Sequence, residues 1–288
     1  MKNGLVLFLL LSGLALNAQN LEAGLLLGGS NYRGDLSENS QRIILSETGG
    51  SAGAFLRWNV HRFVSLRLGF QFAQVGGTDA NARDEAIRTR NLSFRSNIFE
   101  GMLGVEWNIL GYQPYNLQSG FSPYLFGGVA LFGYNPVTDY QGSVVRLQPL
   151  GTEGQGMPGR PEAYKKSSLA FPVGIGFKYA LNDKLNIGLE LGVRLTKTDY
   201  IDDVSTTYVD LQDLAAANGE LAAALSSRTG ELQGGEPVNF PTGASRGDDQ
   251  TRDLYFIGGV FISYNFLDNG LVGARGRFRG KRSGCKTD

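Results

Sequence analysis

Leu185 to Thr196 reads LNIGLELGVRLT, and its alternation decides the fold. Leu185, Ile187, Leu189, Leu191, Val193 and Leu195 are apolar, while Asn186, Gly188, Glu190, Gly192, Arg194 and Thr196 between them are small or polar. A period of two belongs to an extended strand whose two faces differ chemically. The run is longer than an ordinary strand of about 5 or 6 residues. It matches the roughly 9 to 11 tilted residues that cross a bilayer.

The same pattern spreads outward. Leu169, Phe171, Val173, Ile175, Phe177 and Tyr179 alternate with Ala170, Pro172, Gly174, Gly176, Lys178 and Ala180. Val64, Leu66, Leu68, Phe70 and Phe72 alternate with Ser65, Arg67, Gly69, Gln71 and Ala73. Leu21 to Gly29, Ala52 to Val60, Ser96 to Ile109, Pro123 to Tyr134 and Leu254 to Phe266 fit less cleanly and bring the expected strands to eight. Short connections (His61-Arg62, Leu110 to Ser122, Asn182-Asp183-Lys184) alternate with long polar ones (Ser30 to Ser51, Gly76 to Arg95, Asn135 to Ser168, Thr196 to Asp253). Even strand number with short turns on one side and long loops on the other predicts an all-β, eight-stranded antiparallel transmembrane barrel, its turns and both termini periplasmic.

A soluble β-sandwich or lipocalin-like barrel is the competing arrangement, with the apolar face inward. The polar face separates the two. Arg67, Gln71, Glu100, Glu106, Lys178, Glu190 and Arg194 sit among glycines, which suits a crowded polar lumen contacting no lipid. Eight strands leave an interior that side chains fill, so these residues read as a packed, ion-paired plug. Their functional alternative is a narrow conduction path or ligand slot. Phe63, Trp107, Tyr124, Tyr134, Tyr179, Tyr255, Tyr264 and Phe266 mark strand ends and are expected in interfacial girdles facing lipid. This facing predicts that Leu189→Arg impairs assembly and that Gly188→Ser is far milder.

The ends differ from the body. Met1 to Asn20 (MKNGLVLFLLLSGLALNAQN) has a basic start, an apolar stretch from Leu5 to Leu16 and a small residue, Ala18, before the expected cut. That is the pattern of a secretory signal peptide; the chain then divides into 1–18, a barrel over 19–266 and a tail over 267–288. The tail carries Arg275, Arg277, Arg279, Lys281, Arg282 and Lys286 against Asp268 and Asp288, six basic less two acidic, or +4. It is either a solvated end or a periplasmic segment that docks on an acidic partner. Cys285 within it is either a spare thiol or the site of an intermolecular disulfide.

Composition excludes several classes. With 27 basic and 27 acidic residues in 288, the net charge is zero, against a nucleic-acid footprint over the whole chain. One cysteine rules out an internal disulfide framework, and one histidine (His61) rules out centres that need two. Glu100 and Glu106 share a strand face but stand about 20 Å apart, too far to act on one bond. No Ser/His/Asp arrangement or phosphate loop is evident, so no enzyme, cofactor, metal or small-molecule substrate is expected. In the long loops, Asp199, Asp202 and Asp203 could bind calcium but lack EF-hand spacing, and read as a solvated turn. Asp210 to Ser226 spaces Leu211, Leu214, Leu221 and Leu225 for a short amphipathic helix over the barrel mouth, with Gly219 its weak point.

Three stretches carry a family resemblance: Gly28 to Ser37 (GGSNYRGDLS), Arg90 to Ser96 (RNLSFRS) leading into Glu100, and Thr198 to Ser205 (TDYIDDVS). With the barrel layout, they resemble the PorG family of outer-membrane barrels in the type IX secretion system of Bacteroidota. The resemblance implies a structural, accessory role in protein export and association with a periplasmic PorK/PorN ring. The basic tail (Arg275, Arg277, Arg279, Lys281, Arg282, Cys285) is then placed for that contact, and outer-membrane lipid surrounds the barrel. Asn31, Tyr32, Asp35 and the acidic turn become loop-structuring positions. The alternative is a general OmpA-like or OmpW-like barrel with a passive envelope or small-solute role.

Overall fold

The computed structural model describes residues 21–37, 45–113 and 120–266. The expected signal peptide and basic tail lie outside these residues. Eight long strands form the wall: β1 (Leu21–Arg33), β2 (Gly49–His61), β3 (Val64–Thr78), β4 (Ser93–Asn108), β5 (Phe121–Gly133), β8 (Ser167–Ala180), β9 (Leu185–Thr196) and β10 (Leu254–Asn265). Each pairs antiparallel with its neighbour in chain order, and β1 pairs with β10 from Glu22↔Asn265 to Arg33↔Leu254, closing the ring. Closure leaves no wall strand with an open edge, the condition for a sheet to stand in lipid.

The alternation turns inside out relative to a soluble protein. On β9, Leu189 is 56% exposed on the outer face while Arg194 is fully buried in the lumen. Leu25 and Leu27 on β1, Phe70 on β3, Leu103 on β4, Leu131 on β5 and Ile262 on β10 are likewise exposed. This continuous apolar belt around a polar interior is the membrane-barrel arrangement and excludes the lipocalin-like one. Trp107, Tyr179 and Tyr264 face outward at the turn side. Tyr124, Tyr134 and Tyr255 do not join them. They point into the barrel and are buried, because burial plus a hydroxyl partner suits tyrosine as well as an interface does.

The strands run further than the polar pattern suggested. Gly76 pairs with Arg95 and Thr78 with Ser93, so both ends of the expected β3–β4 loop belong to the wall. Main-chain pairing continues there after the outward side chains have turned polar. The β5–β8 connection contains a hairpin, β6 (Pro136–Tyr140) and β7 (Ser143–Arg146), which joins the sheet through Arg95↔Val137 and Ser96↔Pro136. The β3–β4 connection holds α1 (Glu85–Arg90), capped by the Asp84 side chain. The β9–β10 connection holds α2 (Leu211–Asn218) and α3 (Glu220–Ser226), two helices rather than one, broken at Gly219 with φ 95°. On the short side, Asn182 Oδ1 accepts from Lys184 N and Leu185 N at 2.8 and 2.9 Å, making the β8–β9 turn.

Inward glycines make room for inward rings. A Cβ on Gly176 would sit 2.3 Å from the Tyr124 ring. One on Gly188 would sit 2.2 Å from Phe177 O and 2.3 Å from the Phe261 ring. Gly188→Ser is therefore not the mild change expected, since backbone cannot yield as a side-chain tip can.

Candidate functional site

All seven expected lumen residues point inward and are buried. Nearest the short turns, a layer of amides and hydroxyls seals the barrel: Ser65 Oγ donates to Asn59 Oδ1 at 2.7 Å, and Asn186 Nδ2 to Asn265 Oδ1 at 2.9 Å. Above it lies an ion lattice. Lys178 Nζ donates to Glu106 Oε2 at 2.9 Å, Arg57 Nε stands 2.7 Å from the same oxygen, and Arg67 reaches Glu106 Oε1 at 3.6 Å. Arg67 also donates to Glu190, which accepts from Tyr124 Oη at 2.7 Å. Further up, Arg194 Nε donates to Glu100 at 3.3 Å and Tyr255 Oη donates to the same oxygen at 2.6 Å. Gln71 is buried on this face, in register with Glu100, and its side chain packs where a Gly53 Cβ would be.

Two lattice members did not stand out in the sequence: Glu22 and Arg57, opposed in register on β1 and β2 and hydrogen-bonded to each other. The signal for them was the same alternation, since Arg57 shares a face with Phe55 and Asn59, but alanines and glycines blur it. Four carboxylates (Glu22, Glu100, Glu106, Glu190) thus meet four cations (Arg57, Arg67, Lys178, Arg194), and the lumen is neutral. Aromatic faces cover three of the cations, Arg57, Arg67 and Lys178. The Arg57 guanidinium lies 4.7 Å from the Phe55 ring centre, and Lys178 Nζ lies 4.7 Å from both Tyr112 and Tyr124. Glu100 and Glu106 serve different partners.

The second constellation closes the opposite mouth and is built by the long loops. Tyr32 Oη lies 2.7 Å from Asp202 Oδ2 and 2.7 Å from Asp253 Oδ1, all three side chains being buried. Leu36 N and Val204 N donate to Asp202 at 3.2 and 2.9 Å, and Ile201 N donates to Asp253 Oδ2 at 2.7 Å. Arg246 donates to Glu153 at 3.0 Å and to Asp203 O at 2.8 Å, while Thr152 and Tyr164 donate to Asp203 at 2.6 and 2.5 Å. Arg90 grips Asp79 through two nitrogens at 2.8 and 2.7 Å and reaches Asp35 O at 2.7 Å.

The acidic stretch is therefore no solvated turn: Asp199, Asp202 and Asp203 are all buried. Burial comes first among the causes that lift their carboxyls, pushing Asp35 and Asp203 up to about 6 and Asp199 to about 7. Burial, with neighbouring acids, lifts Asp202 and Asp253 well above the carboxylate range. Asp79, Arg90, Glu153, Arg246 and Asp253 are not legible as site residues: Glu153 and Arg246 meet across 93 residues of chain, Asp253 meets Tyr32 across 221, and Asp79 and Arg90, 11 residues apart, stand in a polar loop with no periodicity to mark them. Among the described residues, no group of three or more His, Cys, Asp or Glu is arranged to hold a metal ion. Arg275, Arg277, Arg279, Lys281, Arg282 and Cys285 lie outside the described residues.

Wall, neutral lumen and sealed mouth define a small β-barrel of the outer-membrane type. The family described as "Domain of unknown function (DUF6089)" matches residues 2–223, and the chain belongs to it. No curated protein matches the chain. Among solved structures it is similar to the N-terminal β-barrel domain of Pseudomonas aeruginosa OprF, with 11% identity over 85% of this chain and 97% of that one, at a TM-score of 0.36. Neisserial surface protein A gives 8% identity, 85% and 97% coverage and a TM-score of 0.40. Ail of Yersinia pestis, in complex with the heparin analogue sucrose octasulfate, gives 8%, 85% and 96%, and 0.38. At these values the fold rests on the strand order and register above.

Proposed function

We propose that this chain is an outer-membrane barrel serving as a structural, non-enzymatic component of type IX protein secretion, its periplasmic side associated with a PorK/PorN-type ring. The observation that carries the structural role is the lumen. Its four cations and four carboxylates are buried against one another, with aromatic rings over three of the cations, which leaves the interior to packing rather than passage. The secretion assignment rests on the resemblance to the PorG family, and one geometric fact supports it. The three stretches that carry the resemblance meet in the cap: Tyr32 contacts Asp202, Leu36 N donates to Asp202, and Arg90 donates to Asp35 O. Outer-membrane placement follows from the apolar belt, since closed barrels with lipid-facing strands belong to such membranes.

The test is a gentle-detergent pull-down of the native protein from its own outer membrane, with co-purifying proteins identified. Stoichiometric PorK- and PorN-like partners are expected, and deleting Leu271 to Asp288 is expected to break that complex while the barrel still folds. A lone barrel, under conditions where such rings survive, overturns the secretion reading in favour of an OmpA-like or OmpW-like envelope protein. Full recovery of partners by the truncated chain overturns docking through the tail.

A further inference from the structure

The proton count at the cap does not close with two carboxylates. Tyr32 has one hydroxyl hydrogen, yet its oxygen makes 2.7 Å contacts with both Asp202 Oδ2 and Asp253 Oδ1. It can donate along only one of them. If both acids were ionised, the other contact would press two oxygen lone pairs together beside two buried charges. One carboxyl must therefore carry a hydrogen and donate it to Tyr32 Oη.

The surrounding donors say which. Asp202 accepts backbone N–H groups on both oxygens, from Leu36 on Oδ2 and from Val204 on Oδ1, which favours its ionised form. Asp253 accepts Ile201 N on Oδ2, and its Oδ1 faces Tyr32. The buried cations packed here are already engaged, and Arg252, next to Asp253, is exposed to solvent and acts on Asp199. Arg90 of α1 is paired with Asp79, Arg246 with Glu153 and Arg228 with Glu231. Asp35 from the β1–β2 loop and Asp199 and Asp203 from the β9–β10 loop add acids, and Tyr134 and Tyr164 lie near. The void beside Asp202, lined by Leu36, Val204, Arg228 and Arg246 among others, holds about 10 Å³, the lower limit for one water.

We propose that a proton on Asp253 Oδ1, donated to Tyr32 Oη whose own hydrogen goes to Asp202 Oδ2, locks the extracellular cap shut, so that the cap opens when rising pH removes it. The chain of three ties the end of β1, the turn at Tyr200–Val204 and the start of β10 into one unit. Opening releases one proton to solvent. Protonation of the closed form then couples to opening with a slope of about tenfold per pH unit, between the free carboxyl's pKa and that of the closed pair.

The test is hydrogen exchange on the full barrel folded in detergent, read on peptides covering Leu36 and Ile201 to Val204 and corrected for intrinsic exchange. The informative window lies above about pH 8, a unit past Asp199 at about 7 and further past Asp35 and Asp203 at about 6, and below about pH 9, before a free tyrosine titrates. Wild type is expected to lose protection about tenfold per unit until the closed pair ionises. Asp253→Asn keeps an N–H toward Tyr32 and has nothing to lose, so its protection is flat in that window. Asp202→Asn sets an amide N–H against the Leu36 or Val204 N–H and lowers protection at every pH. Tyr32→Phe breaks the chain and is expected to do the same. A flat wild type, a wild-type slope in Asp253→Asn, or full protection in Tyr32→Phe each overturns the lock.

Discussion

The lumen and the cap both bury carboxylates, and they neutralise them differently. In the lumen each acid faces a cation from another strand, as Glu106 faces Arg57, Arg67 and Lys178. In the cap Asp79 and Glu153 keep a cation each, Arg90 and Arg246. Asp199, Asp202 and Asp253 crowd together with no such pair among the described residues, and N–H groups, hydroxyls and raised pKa values do the work that counter-charges do below. A strand wall fixes side chains at regular spacing, so opposite charges can be set against each other. Loops expose free backbone N–H groups, which the wall has already spent on its own pairing. The prediction is that charge removal hurts the lumen, whereas pH and steric change hurt the cap.

The largest effect is expected at Glu106. Glu106→Gln leaves Arg57 and Lys178 buried without their shared anion, and breaking such a group costs about 3–5 kcal/mol. The urea midpoint of the barrel folded in vesicles measures it. A loss under about 1 kcal/mol would mean that the lumen cations do not depend on this carboxylate. Next comes the outer face, where Leu189→Arg is expected to cost about 2–4 kcal/mol if the residue sits at mid-membrane. The same unfolding assay reads it, and tolerance would break the assignment of faces.

These two predictions rest on what was legible in the sequence. Glu190 and Leu189 differ by one position on β9, and a period of two sends them to opposite faces with no further information. Arg57 obeyed the same rule but hid among alanines and glycines, which mark no face. Nothing comparable announces the cap. Arg246 meets Glu153 across 93 residues, both on irregular loops, and Tyr32 meets Asp253 across 221, only because the ring closes β1 on β10. The acids Asp199, Asp202 and Asp203 looked solvated because acids on loops usually are; only the closing of four loops over one mouth buries them. Tyr124 and Tyr255 misled for a related reason. Their position at strand ends is the same for a girdle and for a lumen, and one residue of register decides between them.

A smaller effect is expected from Gly34→Ala. A Cβ there would lie 1.9 Å from Tyr32 Oη and 2.0 Å from Asp253 Oδ1, so the cap must shift while the wall is untouched. Overpacking of this kind costs about 1–3 kcal/mol. Exchange protection should fall at Leu36 and Val204 and hold in β8 and β9. Equal loss in both places would mean that cap and wall open as one.

The acids outside the Tyr32 chain give a pH response that ends at lower pH. Asp35, Asp199 and Asp203 have raised values of about 6, 7 and 6, so the closed cap binds more protons than the open one. Their contribution is fully favourable in acid, weakens as pH rises from the free carboxyl's value near 4, and levels off above about 7. Each keeps donors in its ionised form, such as Ser205 Oγ on Asp199 at 2.7 Å and Thr152 Oγ1 on Asp203 at 2.6 Å, which limits the penalty. Protection of the cap should therefore decline from pH 4 to 7 while that of the lumen-facing strands does not. A cap that tightened over this range would reverse the sign and refute the acid assignment.

The smallest effect is the sharpest control on the comparison. Arg95 and Asp139 make an arginine–carboxylate pair in which one guanidinium nitrogen reaches both oxygens, at 2.8 and 2.9 Å, the same two groups that pair in the lumen. It stands in solvent, its side chains 58% and 67% exposed, where water screens the attraction and holding two long side chains costs entropy. Arg95→Ala is expected to change barrel stability by no more than about 1 kcal/mol. Set beside Glu106→Gln in the same urea assay, it separates the chemistry of a pair from its surroundings. If both substitutions cost the same, burial would not be what gives the lumen lattice its weight, and the contrast between wall and cap would have to rest on topology alone.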